Sequence, residues 1–329
     1  MRSFGAVAGV HAIALVALVA APPTNAKGTG LVFVSNEKSD TITVLDGKTD
    51  SVVRTIDTCG RPRDMEWNQD RTLIYVACAD DSVIGIVDID KFETVDEFRY
   101  IEEPEAFEID DQQHYLYVSN EEDAALTIYD MQARKVVAMI EVGEEPEGVM
   151  IGKDGRTVWV TSEASNMVHA IDVAQKEVLA DILVDARPRR LAAPPDEREI
   201  WVSAELAGKV DIIDPKTYQV IDSISFLPRG IRPEQVTPVD VRMTKDGKTA
   251  FVALGRANHV AVVDVASREV TKYILVGERP WGLTLSGDER KLYVTNGLSD
   301  DVSIIDTQTL QAIKSVRVGE VPYIALIDD

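Results

Sequence analysis

Two residue types recur along this chain with one shared period. An aspartate closing an apolar pair stands at Asp46, Asp88, Asp130, Asp172, Asp214, Asp264 and Asp306. A proline stands at Pro62, Pro104, Pro146, Pro188, Pro238, Pro280 and Pro322. Each series advances by 42 residues, with a single step of 50. A sustained period of this length marks a repeat architecture, and it limits the fold more tightly than any local propensity. Inside each unit lie four short runs rich in Val, Ile, Tyr and Thr. In one unit these are Trp281–Ser286, Leu292–Asn296, Val302–Asp306 and Ala312–Val318, separated by turn residues such as Gly287-Asp288. No long 3.6-residue periodicity competes with them. Four strands per unit predict an all-β fold, a seven-bladed β-propeller of four-stranded blades.

The ends of the chain predict how the ring closes. Leu31–Ser35 reads as a second strand without a first, and Pro322–Ile327 as a first strand with nothing after it. Pairing the N-terminal strands with the C-terminal strand completes the seventh blade and removes an open edge. Residues 1–26 read as a cleaved signal peptide. Arg2 precedes the 16-residue apolar run Ala6–Ala21, and Thr24-Asn25-Ala26 supplies the small-x-small cleavage pattern. The run is shorter than the roughly 20 residues a membrane span needs, so no span is expected after cleavage. Residues 27–329 are then one propeller domain, exported to the periplasm and monomeric. Seven units and the extra eight residues account for 302 of these 303 positions.

Removing Arg2 leaves 33 basic residues against 56 acidic ones. Such a chain is not expected to bind nucleic acid and is suited to cations or basic protein partners. Two cysteines, Cys59 and Cys78, read as one disulfide in an oxidising compartment, worth about 3 kcal/mol in the chain-entropy model. No C-x-x-C-H haem motif and no zinc-type cluster occurs. The periodic aspartates are scaffold, because each ends a strand before a tight turn whose amides its carboxylate can accept, as in Asp46-Gly47-Lys48-Thr49. The prolines are scaffold too, placed where the chain crosses to the next inner strand.

The residues beside the prolines vary from blade to blade. EEPE occurs at 102–105 and again at 144–147, flanked by Arg61-Pro62-Arg63 and Arg187-Pro188-Arg189. First strands leave the proline crossings and second strands return to them, so both sets of loops share one rim around the channel mouth. The residue after each proline reads Arg63, Glu105, Glu147, Arg189, Val239, Trp281 and Tyr323. The loops after the second strands add Glu121 and Glu163, with Glu205 and Glu37 at equivalent places. Arg63, Glu105, Glu121, Glu147, Glu163, Arg189, Trp281 and Tyr323 are therefore the candidate ligand-binding residues. In the plain reading they neutralise one another as exposed pairs, Arg63 with Glu105 and Arg189 with Glu147, worth about 0–1 kcal/mol each. In the sharper reading they form a polarised binding mouth. Glu105 and Glu147 could hold a divalent cation such as Ca²⁺, a cationic ligand could lie on Trp281, or the arginines could orient a carboxylate. The lengthened connection, Ser225–Gln235, is a candidate lid or docking arm.

Leu292-Tyr293-Val294-Thr295-Asn296 followed by Val302-Ser303-Ile304-Ile305-Asp306-Thr307 resembles the YVTN-repeat β-propeller family. Degenerate copies such as Leu116-Tyr117-Val118-Ser119-Asn120 extend the match. The leader, the seven units and the Pro-Tyr…Ile-Asp-Asp end more narrowly resemble the PQQ-dependent catabolism-associated propellers. That resemblance implies a setting in periplasmic alcohol oxidation, with PQQ entering by association only. The expected function is a binding or accessory propeller that holds a small ligand, a cation or a protein partner. One alternative is a metal-assisted lactonase-like hydrolase or lyase using Glu105, Glu147 and His259. The other is a scaffold whose acidic rim docks a basic protein such as a cytochrome.

Overall fold

The computed structural model describes Met1 and residues 28–329. The expected leader, apart from Met1, lies outside these residues. The described residues form seven four-stranded antiparallel sheets. Numbering blades from the first proline, the innermost strands are Pro62–Trp67, Pro104–Ile109, Pro146–Ile151, Pro188–Ala192, Pro238–Met243, Pro280–Leu285 and Pro322–Ile327. Every innermost strand thus begins on its periodic proline, a position that needs no ladder donor.

Burial follows from radial position. Second and third strands such as Leu73–Cys78 and Val83–Asp88 are covered on both faces by neighbouring blades and are buried almost throughout. Outer strands face solvent and bury one apolar residue each, for example Phe98, Ile140, Ile182 and Val316. The periodic aspartates cap turns as expected. Asp46 accepts the amides of Lys48 and Thr49 at 2.9 and 2.8 Å, and Asp264 and Asp306 do the same for the residues three positions on. Hydrogen bonds from those amides hold the carboxyls of Asp46, Asp264 and Asp306 below the usual range.

Blade seven closes the ring as the termini indicated. Pro322–Ile327 pairs antiparallel with Leu31–Asn36, setting Val32 opposite Ile327 and Phe33 opposite Leu326. Beyond the pairing, the Asp328 carboxylate accepts the amides of Gly28 and Thr29 and the Thr29 hydroxyl, at 3.2, 2.7 and 2.6 Å. Cys59 and Cys78 are joined by a disulfide, with Cα atoms 5.7 Å apart. In other blades hydrogen bonds span the equivalent gap, as where the Gly319 amide donates to Asn36 Oδ1 at 3.1 Å.

The serine or threonine of the repeat has a task that the resemblance did not reveal. In each inner hairpin the two residues after the proline bulge out of the ladder opposite a single residue, a serine or threonine in five of the seven blades; Glu147 and Gly148 face Thr161 in this way. The bulge leaves a backbone N–H and C=O without ladder partners, and both must be satisfied when buried. The Thr161 hydroxyl accepts the Gly148 amide at 2.8 Å and donates to the Arg189 carbonyl of the next blade at 2.7 Å. Ser35, Ser119, Ser203 and Thr295 donate likewise to the carbonyls of Arg63, Glu147, Val239 and Tyr323. Gly148 has no room for a side chain here, since a Cβ would stand 2.2 Å from the Arg189 carbonyl. Thr161→Val keeps the shape and removes both bonds. It should cost about 2 kcal/mol in a denaturant titration, the expense of stranding a buried donor and acceptor.

Candidate functional site at the proline face

The bulge turns the residue after each proline into the channel, and the channel is filled there rather than open. Arg63, Glu105, Glu147, Arg189 and Tyr323 are all at least nine-tenths buried. Arg63 lies between Glu105, which it contacts through Nη1, and Glu147, whose Oε1 is 3.2 Å from Nη2. Arg63 Nη2 also donates to the Tyr323 hydroxyl at 3.1 Å, and that hydroxyl donates to Glu147 Oε1 at 3.0 Å. Arg190 reaches the same hydroxyl from below at 2.6 Å and sits 3.5 Å from Asp64. Arg189 contacts Glu163 and lies 3.7 Å from both Glu147 and Glu205.

This arrangement differs from the expectations at four points. The Arg63–Glu105 pair exists, but it is buried and part of a continuous network instead of an exposed rim pair. Arg189 contacts Glu163 more closely than the expected Glu147. Between Glu105 and Glu147, the expected place of a divalent cation, the chain supplies the Arg63 guanidinium. Among the described residues no group of three or more His, Cys, Asp or Glu is placed to hold a metal ion. The Trp281 ring is also occupied: the guanidiniums of Arg189 and Arg279 lie 4.5 and 4.8 Å from its centre. A cationic ligand would compete with both.

Burial opposes ionisation of Glu147, but Arg189, Arg63 and Arg190 outweigh it and hold the carboxyl below the usual range. Glu105 moves the opposite way. Burial, helped by Glu147 and a hydrogen bond with Glu121, pushes it well up against the pull of Arg63 and Arg61.

Above the network lies a polar recess of about 280 Å³, walled by Arg63, Glu121, Glu147, Glu163, Arg189 and Trp281, with Arg61, Glu145 and Arg187 at its edge. It adjoins a mainly apolar slot of about 170 Å³ between Trp281, Leu298, Val321 and Tyr323. Six of the eight candidate residues thus line the recess. Glu105 and Tyr323 do not: Glu105 is enclosed beneath it and Tyr323 is the hub of the network, touching only the slot. Sequence reasoning missed Arg190 and Arg279 as members. Arg190 is two residues past its proline, where Asp64 and Asp240 are the other charged residues, and that row would have exposed it.

Other expected features lie elsewhere. Residues 225–235 line neither recess; Phe226 packs into the core shared by blades four and five, and the Leu227 amide donates to the Tyr273 hydroxyl at 2.9 Å. The insertion is therefore folded down, not a lid over the mouth. His259 bonds the Ala257 carbonyl at 2.6 Å and meets no residue of the network. His169 stands between Asp181 at 2.7 Å and Ser162 at 3.0 Å, the order of a hydrolytic triad. Ser162 is fully buried, and the Gly143 amide donates to the same imidazole nitrogen, so this cluster tethers a loop.

At the opposite mouth a chamber of about 480 Å³ contains Asp64, Glu66, Glu108, Arg190 and Arg242. Burial and the Asp64 carboxylate push Glu108 up to about 7, and burial with Glu108 and Asp64 pushes Glu66 well above its usual value. An acid whose folded pKa exceeds its unfolded value of about 4.3 destabilises the fold as it ionises. Stability should therefore fall as pH rises from about 4.3 through 7, whereas the depressed turn aspartates withdraw support only below about pH 4. Thermal melts from pH 4 to 8 should show that decline, and Glu66→Gln with Glu108→Gln should flatten it. In the proline-face network Glu147→Gln should cost about 3–5 kcal/mol, because it strands buried guanidiniums. Glu105→Gln should cost distinctly less, and equal losses in denaturation would refute this division.

The fold is shared with proteins of diverse kinds. A hydrazine synthase structure from Kuenenia stuttgartiensis is 19% identical, with a TM-score of 0.76, covering 90% of this chain and 99% of that one. The periplasmic gluconolactonase PpgL of Pseudomonas aeruginosa is 18% identical, with a TM-score of 0.75 and coverage of 91% and 99%. A protein from Lactobacillus plantarum is 14% identical, with a TM-score of 0.78 and coverage of 91% and 99%. At such identities the likeness establishes the architecture alone. No curated protein matches the chain in sequence. A family model does, over residues 24–286: the chain belongs to the YNCE-like β-propeller family.

Proposed function

We propose that this chain is an exported, periplasmic binding propeller that holds a small carboxylated molecule in the proline-face recess, in the setting of PQQ-dependent alcohol oxidation. One observation carries the choice of ligand. Arg187 stands at the edge of the recess with its side chain 43% exposed. Its Nε is engaged by Glu163 at 2.6 Å, while no hydrogen bond among the described residues uses its terminal nitrogens. A guanidinium held by one edge and open at the other suits a carboxylate. The slot beside Trp281 and Leu298 can take an apolar portion of the same molecule. The leader-like N-terminus and the Cys59–Cys78 disulfide support an oxidising, extracytoplasmic location.

Binding is preferred to catalysis because the buried carboxylates Glu105, Glu147 and Glu163 are each engaged by guanidiniums. A lactonase-like reading ranks second, and carboxylated molecules would then be its products. A thermal-shift titration of residues 27–329 with gluconate, PQQ and Ca²⁺ tests the proposal. Ligand at 100 times its dissociation constant adds about 2.7 kcal/mol. A carboxylate should raise the melting temperature, and Arg61→Ala with Arg187→Ala should abolish the rise. No shift with either carboxylate, or a shift that survives in the double variant, would defeat this reading. Hydrolysis of glucono-δ-lactone that disappears in Glu105→Gln would replace it with the enzymatic one.

A further inference from the structure

The charges of the two faces are sorted. The far-face turns carry lysines beside their acids, among them Lys48, Lys91, Lys153, Lys216 and Lys248. On the proline face, blades one to three present exposed acids without a lysine: Asp80, Asp81, Glu102, Glu122, Asp123 and Glu144. The other half of the same face carries exposed leucines alongside exposed charges such as Arg229, Arg232, Arg256 and Glu278. Leu183, Leu206, Leu227, Leu275 and Leu298 are each more than half exposed, and they account for five of the six exposed leucines among the described residues. Their shared side is fixed by the backbone. The Leu206 amide donates to the Ala186 carbonyl at 3.1 Å and the Leu298 amide to the Glu278 carbonyl at 3.0 Å, tying both loops to segments that lead into prolines. Leu183 and Leu275 end outer strands that arrive at the same segments.

We propose that the proline face is a docking surface for a protein presenting a basic patch beside an apolar one. Exposed leucines arrayed on one face of a soluble propeller are costly to leave in water and mark an interaction site. The acidic sector determines the partner's charge: it attracts a basic surface over long range and rejects an acidic one. A second copy of this chain, itself strongly acidic, is the competing occupant. Apart from Leu298, which also borders the slot beside Trp281, the surface lies outside the recess and its slot.

Horse-heart cytochrome c serves as a basic protein probe, titrated calorimetrically into residues 27–329 at 20 and 200 mM salt. We expect micromolar binding at low salt that weakens at least tenfold at high salt. Glu102→Lys with Glu122→Lys and Glu144→Lys should weaken it at least tenfold, and Leu206→Ser with Leu275→Ser at least threefold. A far-face control, Glu93→Lys with Glu177→Lys and Glu269→Lys, makes the same change in net charge and should bind as the natural chain does. No binding at low salt, or equal losses in the proline-face and far-face triples, would overturn the proposal. A dimer seen by sedimentation and dispersed by the leucine variant would overturn it in favour of self-association.

Discussion

The structure depends on a hydroxyl that serves two blades at once. Each inner strand leaves the sheet for two residues after its proline, and a bulge there would strand buried backbone groups. The serine or threonine of the second strand accepts the amide of its own blade and donates to the carbonyl of the next. The bond therefore supports the bulge, sets the spacing between blades and turns the residue after the proline toward the axis. Ala77 and Ala253 lack the hydroxyl, and the channel residues they would have supported are Glu105 and Trp281. Both of those are braced by side-chain contacts from arginines instead.

What fills the axis is not what stability alone would choose. Buried ion pairs give back in Coulomb energy roughly what they lose in desolvation, and apolar residues of equal volume often serve as well. Val239 shows that an apolar residue fits this ring. The arginines and glutamates instead give the floor of the recess a defined charge pattern on a rigid base, with Arg187 left half-free above it. Positions that repeat in every blade build the ring; positions that differ give it an identity.

The ring, its closure and the two faces were legible from the sequence, because the period counts blades and alternate strand directions assign loops to sides. The channel residues were legible for the same reason, through the row of residues after the prolines. Their partners were not. Arg63 reaches Glu147 two blades away and Tyr323 in the closing blade, contacts determined by the width of the closed ring and the length of each side chain. Nor could the sequence distinguish a rim residue from an enclosed one, so the place of Tyr323 at the hub of the network was not visible in it. The insertion at 225–235 looked like a lid because its extra length was visible, whereas the apolar pocket receiving Phe226 is built by two blades together.

The hub of the axial network belongs to the last strand of the chain. Tyr323 enters the channel only when Pro322–Ile327 slots in between the first-made and last-made sheets. Until then Arg63, Arg190 and Glu147 lack the hydroxyl that joins them. A chain with six finished blades would carry its leucines and acids outside, yet have no floor under the recess. Assembly of the floor is thereby coupled to completion of the ring: a truncated or misclosed molecule lacks it, with no separate checkpoint required.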